Sequence, residues 1–166
     1  MPFTPYHGGI GILLKSFFLK RFSLIIFLWS QFLYDVEVLF NILLDSNRLH
    51  SWSHTILGMM VIALISCITG KYIYEIFAKI LNDIVKIKLS EHPNRKIIIF
   101  SVMLGVITHL PLDAIMHYDV RPLFPLASNN PLYGIVSVFT LHLGLLICAV
   151  IGLIVWILRL KLKKYR

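Results

Sequence analysis

Lys96–Val120 reads KIIIFSVMLGVITHLPLDAIMHYDV, an apolar stretch long enough to cross a bilayer that closes on four potential metal ligands. Helical steps of four residues keep His109, Asp113 and His117 on one slowly drifting face, with Asp119 just beyond it. A carboxylate and imidazoles at membrane depth are costly, so their default reading is a site. The competing reading is a polar seam that hydrogen-bonds neighbouring helices.

The rest of the chain agrees with a lipid setting. Of its 166 residues, 58% are hydrophobic, whereas soluble domains run at roughly 45–50%. No repeat, low-complexity tract or linker divides it, so one membrane domain is expected over residues 1–166. The net charge of +8 could suit nucleic acid, but the charges sit at the ends of apolar runs, which argues against that partner. Cys67 and Cys148 lie inside apolar runs as small hydrophobes, which disfavours a disulfide framework or a thiolate metal site. Ile10 to Leu14 is too short an apolar core for a secretory signal.

Four segments meet the roughly 17–25 residues needed for a span: approximately 22–44, 55–77, 97–117 and 132–158. A shorter apolar piece, 10–19, can only lie in the interface or re-enter part-way. The expected fold is therefore all-α, with about four transmembrane helices and a short N-terminal re-entrant or interfacial helix. Of the 16 Lys and Arg residues, only Arg48 and Arg121 fall on one side of this arrangement. The positive-inside rule then places both termini in the cytoplasm, and the 45–54 and 118–131 loops outside.

Polar residues converge toward that outer side. In the first span Ser30, Tyr34, Glu37 and Asn41 form one stripe, with Gln31 and Asp35 beside it. Asp35 and Glu37 are two residues apart and point to roughly opposite sides, so only one is expected to touch a ligand directly. At about 1.5 Å per residue, Asp35 and His109 reach similar depth, Asp113 lies about 6 Å further out, and His142 of the last span joins the layer. His142 reads equally well as a helix-packing histidine. His50 and His54 in the outer loop are four residues apart, at ligand spacing. His7 reaches this layer only if 10–19 re-enters the membrane, with Gly8, Gly9 and Gly11 easing the turn at its tip. His92, beside Pro93, is expected at the cytoplasmic surface.

Histidine and carboxylate ligands without thiolates suit zinc, and also iron or manganese. Catalytic zinc commonly takes three protein ligands and keeps a position for water. A surplus of ligands could supply a base, a second metal or groups that orient the first ligands. No nucleophile elbow, phosphate-cradling loop or nucleotide fingerprint is present.

Three blocks carry a family resemblance: Thr4-Pro5-Tyr6-His7-Gly8, the acidic pair Asp35-Val36-Glu37, and the loop His50-Ser-Trp-Ser-His54-Thr55. The last block is followed by Gly105-Val-Ile-Thr-His109-Leu-Pro-Leu-Asp113 and Arg121-Pro122-Leu-Phe-Pro125. In this order they resemble the membrane-bound, metal-dependent hydrolase family of small prokaryotic inner-membrane proteins (the YdjM type). The acidic block departs from that family's Pro-Asp-x-Asp motif, and the loop histidines are spaced differently from its usual pattern.

The expected function is thus a membrane-embedded metal-dependent hydrolase. His7, Asp35, His50, His54, His109 and Asp113 are the metal-binding candidates. Asp35 and Glu37 are the catalytic ones, Glu37 being the preferred base or orienting group. His117, Asp119, His142 and Arg121 form a rim. The partners expected are membrane lipids and an amphiphilic ester or phosphoester substrate, whose anionic head Arg48 and Arg121 could hold. The alternatives are a metal or proton transporter and a non-catalytic protein locked by metal.

Overall fold

The computed structural model describes residues 5–86, 89 and 93–164. Thr4, Lys88, His92 and Arg166, which the sequence reading used, lie outside the described residues. All regular structure among the described residues is helical: α1 (Gly8–Phe18), α2 (Leu24–Leu43), α3 (Ile56–Ile80), α4 (Arg95–Met116) and α5 (Val138–Lys164). A 3-10 turn at Pro5–His7 leads into α1, and a π turn at Leu81–Val85 extends α3. Four helices are long and apolar enough to cross a membrane, α2 to α5. The chain is an all-α membrane protein.

Helices α2, α3 and α4 form a three-helix body around Ile26, Tyr34, Ile62, Val102 and Val106. Small residues set how closely they approach. Gly105 on α4 faces α2 where a Cβ would collide with Ser30 Oγ and press on Phe27 O, so any larger residue there would force the two helices apart. The boundaries have local causes. Thr55 caps α3, its Oγ1 accepting from Gly58 N at 3.0 Å, and Asn94 caps α4 by accepting from Ile97 N at 3.0 Å.

Helix α1 packs chiefly on α5. Gly9 lies against the Leu145 backbone, and Gly152 against the backbone of Leu13. Its last carbonyls have no helical partner and take cations instead. Lys15 Nζ donates to Leu19 O and Phe22 O at 2.8 and 2.7 Å, while Arg159 Nη1 donates to Ser16 O and Phe17 O. These bonds turn the chain back into α2 at the end of the bundle where basic residues gather. His7, at the opposite tip of α1, is carried into the interior and is 3% exposed.

The last helix begins later than the apolar run from 132 suggests. Gly134 adopts a φ of +74°, outside helical space. Asn130 Nδ2 donates to Ala114 O and His117 O, tying the loop to the end of α4. Helix α5 starts only where Ser137 Oγ accepts from Thr140 N.

Candidate metal centre

Asp113, fully inside the bundle on α4, is the hub of the site. Its Oδ1 lies 3.4 Å from His7 Nε2, and its Oδ2 lies 3.0 Å from His54 Nε2 and 3.1 Å from His109 Nε2. Three separate segments deliver these groups: the tip of α1, the loop before α3, and two successive turns of α4. His109 comes one turn before Asp113 because the two are four residues apart on a helix.

The outer nitrogens of the histidines are held by other side chains. Gln31 Nε2 donates to Gly105 O at 3.1 Å, which turns Gln31 Oε1 toward His109 Nδ1 at 2.5 Å. His109 Nδ1 therefore carries the proton, and its Nε2 presents a lone pair toward the Asp113 carboxylate. Ser53 Oγ donates to Glu37 Oε2 and so accepts from His54 Nδ1, 2.9 Å away. His50 Nδ1 meets Asp119 Oδ1 at 2.9 Å, leaving its Nε2 as the nitrogen available to a ligand. An amide or carboxylate on one imidazole nitrogen, with the other turned inward, is how proteins orient metal-ligating histidines.

His109 Nε2 and Asp113 Oδ2 face each other at 3.1 Å, an approach that suits a cation, whether a metal ion or a proton. His7 Nε2 and His109 Nε2 are both buried without a hydrogen-bond partner, which fits nitrogen atoms suited to ligate an ion. Two buried trios can each hold a metal, His7–His109–Asp113 and His50–His54–Asp113, with Asp113 common to both. A third trio, His50–His117–Asp119, lies at the rim.

The acidic pair of α2 divides its work. Asp35 Oδ1 stands 3.9 Å from His109 Nε2 and faces the centre. Glu37 points to the histidine loop, where it accepts from the backbone N–H groups of Ser51, Trp52 and Ser53 at 3.2, 3.0 and 3.1 Å. The loop that carries His50 and His54 is thus wound around one carboxylate. Asp119 anchors its other end, accepting from Leu49 N and His50 N at 3.1 and 2.9 Å.

The remaining candidates lie farther out. The His117 ring stacks on His50, with centroids 4.2 Å apart. His142 does not join the trios; Tyr6 stacks on it at 4.6 Å, beside His7. Arg121 is half-buried in the turn after Val120, where its carbonyl accepts from Phe124 N. Gln31 and Ser53 were not among the site residues expected from sequence. For Gln31 the available signal was its shared stripe with Asp35; Ser53 carried none beyond its place between the loop histidines. Tyr34 also belongs here, its ring stacked on His109 at 4.3 Å.

Burial, with His54 and His117 alongside, pushes the His50 imidazole down to about 4, so it is neutral at ordinary pH. Burial also works to lower His54, but its bond to Asp113 and the nearby Glu37 outweigh this and raise it to about 9. Without a metal, His54 shares a proton with Asp113. Gln31→Leu should remove the acceptor that orients His109 and weaken metal affinity about 10–100-fold. Competition with a chromogenic chelator would measure this, and unchanged affinity would contradict the orienting role.

Fold and site define an all-helical membrane protein with a buried histidine–carboxylate cluster of a kind that can hold a divalent metal. Compared with known protein families, curated proteins and solved structures, the chain matches none of them.

Proposed function

We propose that the chain is a membrane-embedded metal-dependent hydrolase of the class its sequence blocks resemble, acting on an amphiphilic ester or phosphoester at the inner membrane of a prokaryote. The observation that carries this reading is the set of imidazoles gathered around Asp113, three of which, His109, His54 and His50, are held from behind by Gln31, the Ser53–Glu37 pair and Asp119. The donor set is nitrogen and carboxylate oxygen, which suits zinc and accommodates iron or manganese.

His7, His109 and Asp113 would hold one ion, and His50, His54 and Asp113 form the second set able to hold one. Such an ion lowers the pKa of water and polarises a carbonyl or phosphoryl oxygen. Asp35, beside the cluster and half-buried, is placed to take the proton from an attacking water. Glu37, held by three backbone N–H groups and Ser53, keeps the loop histidines in place. Basic residues at the far end of the bundle put that end in the cytoplasm, with the site toward the outer half of the membrane.

A transport path would need polar groups through the basic half of the bundle. There the body is packed with Ile26, Ile98 and Val102, broken by serine hydroxyls such as Ser66 and Ser101. This favours a one-sided site.

The test is turnover of a fluorogenic phosphoester and a fluorogenic ester amphiphile by the full chain in vesicles. Activity abolished by chelation and restored by zinc supports the reading. Stoichiometric metal with no turnover of either probe, together with metal flux across the vesicle, would replace it with transport.

Metal uptake should also depend on pH in a defined direction. His54 is raised to about 9 in the metal-free protein, and binding must displace its proton. Affinity should therefore rise with pH, by about tenfold per unit below 9, and level off above it. Isothermal titration in buffers of different ionisation enthalpy would count the released proton. A flat profile between about pH 6 and pH 9 would show that His54 is not a ligand.

A further inference from the structure

Beside the candidate metal cluster, between α1, α2 and α5 and bordered by Ile73 and Phe77 of α3, lies a cavity of about 770 Å³, well within the roughly 300–1,000 Å³ of small-molecule sites. Its polarity is one-sided. Leu24, Leu28 and Phe32 of α2, Ile12 of α1, and Leu146 and Ala149 of α5 line most of its length. Tyr6, His7, Gln31 and Asp35 gather at one end. The indole of Trp29, which also lines it, spends its donor on Thr69 Oγ1 at 2.7 Å. The polar end is continuous with the centre, because His7 touches Asp113 and Asp35 adjoins His109.

From Leu24 to Asp35 the helix rises about 16 Å, close to half of a hydrocarbon core about 30 Å thick. That is the length of one acyl chain in one leaflet. The wall is also open sideways, since Leu28 and Phe32 are 41% and 40% exposed, so a chain can enter from the bilayer.

We propose that this cavity binds one acyl chain of a lipid, with the lipid's ester or phosphoester head between His7, Asp35 and the metal cluster. The proposal rests on the hydrolase reading and adds the substrate class and its pose. An apolar helix from a protein partner would leave Asp35 and His7 facing hydrocarbon, burying polar groups without partners. A lipid brings a polar head to that end and methylenes to the rest. With the basic end cytoplasmic, the tail points inward and the head outward, the pose of an outer-leaflet lipid.

The experiment uses the full chain, metal-free, in phosphatidylcholine nanodiscs doped with a diazirine-tailed phosphatidylcholine, and maps the photolabel by mass spectrometry. Saturable label should concentrate on Leu28, Phe32 and Ala149 and be competed by unlabelled lipid. Ala149→Phe should reduce it about tenfold by denying about two methylenes their apolar contact, with metal content unchanged. If Ala149→Phe fails to fold, Leu28→Trp at the open rim carries the same expectation. Label spread evenly over Met60, Leu64 and Phe139, which face outward, would overturn the proposal, as would undiminished labelling in both variants. Because labelling is read without metal, the two readings fail separately. Intact labelling with no metal bound by the native protein defeats the hydrolase and keeps the lipid site. Lost labelling with metal retained defeats the lipid site alone.

Discussion

Asp113→Asn should leave the protein unable to retain its metal through purification, while the helical bundle remains. Asp113 is the one group reached by His7, His54 and His109 together, and both of its oxygens are used. Removing one partner from a buried charged cluster costs about 3–5 kcal/mol. Metal affinity should therefore fall by about two to three and a half orders of magnitude. Metal analysis of the detergent-purified variant beside the native protein reads the loss, and circular dichroism reads the fold. Stoichiometric metal in the variant would mean that the histidines do not meet at Asp113. The amide is close in size to the carboxylate, so a collapse of the helices is not expected to confuse the result.

Gly58→Ala should also weaken metal binding, from a position that is not itself a ligand. A Cβ on Gly58 would collide with Trp52 O and lie 2.6 Å from both Ser53 Cα and Ser53 O. All three are backbone atoms, so no side-chain rotation relieves the contact. The segment that must move is the one that Glu37 and Thr55 hold, with His54 in it. Overpacking costs roughly 1–3 kcal/mol in ordinary cores; here the same displacement also withdraws a ligand. Metal affinity should drop at least about tenfold and the unfolding temperature should fall. A fully metallated, equally stable Gly58→Ala protein would show that the loop is not wedged against α3.

Much of the centre was legible in the spacing of a few residues. His109 and Asp113 could be placed on one face because helix geometry is periodic, and α4 bears that placement out. Asp35 and His109 could be set at equal depth by rise alone. The loop histidines were a different case. Their spacing of four suggests a helical face, yet His50 and His54 sit in an irregular loop whose path is set by hydrogen bonds to Glu37 and Asp119. Such tertiary bonds leave no periodic trace. The start of α5 was hidden for a related reason: Leu132 and Tyr133 are as apolar as a span, and only the turn at Gly134 and the cap at Ser137 separate them from it. The role of Gln31 rests on an amide orientation that Gly105 O decides, which required the packed structure to see.

The docking of α1 on α5 has a consequence for how the protein is made. Helix α1 finds its main partner in α5, far along the chain, through Gly9 against Leu145 and Gly152 against Leu13. Until α5 emerges, α1 lacks the surface that holds His7 beside Asp113. Contacts between the two ends of a chain close the longest loop and form late. The centre therefore closes in two stages: its α4 residues and loop histidines can assemble without α5, but the ligand beside α1 is held only once α5 has docked.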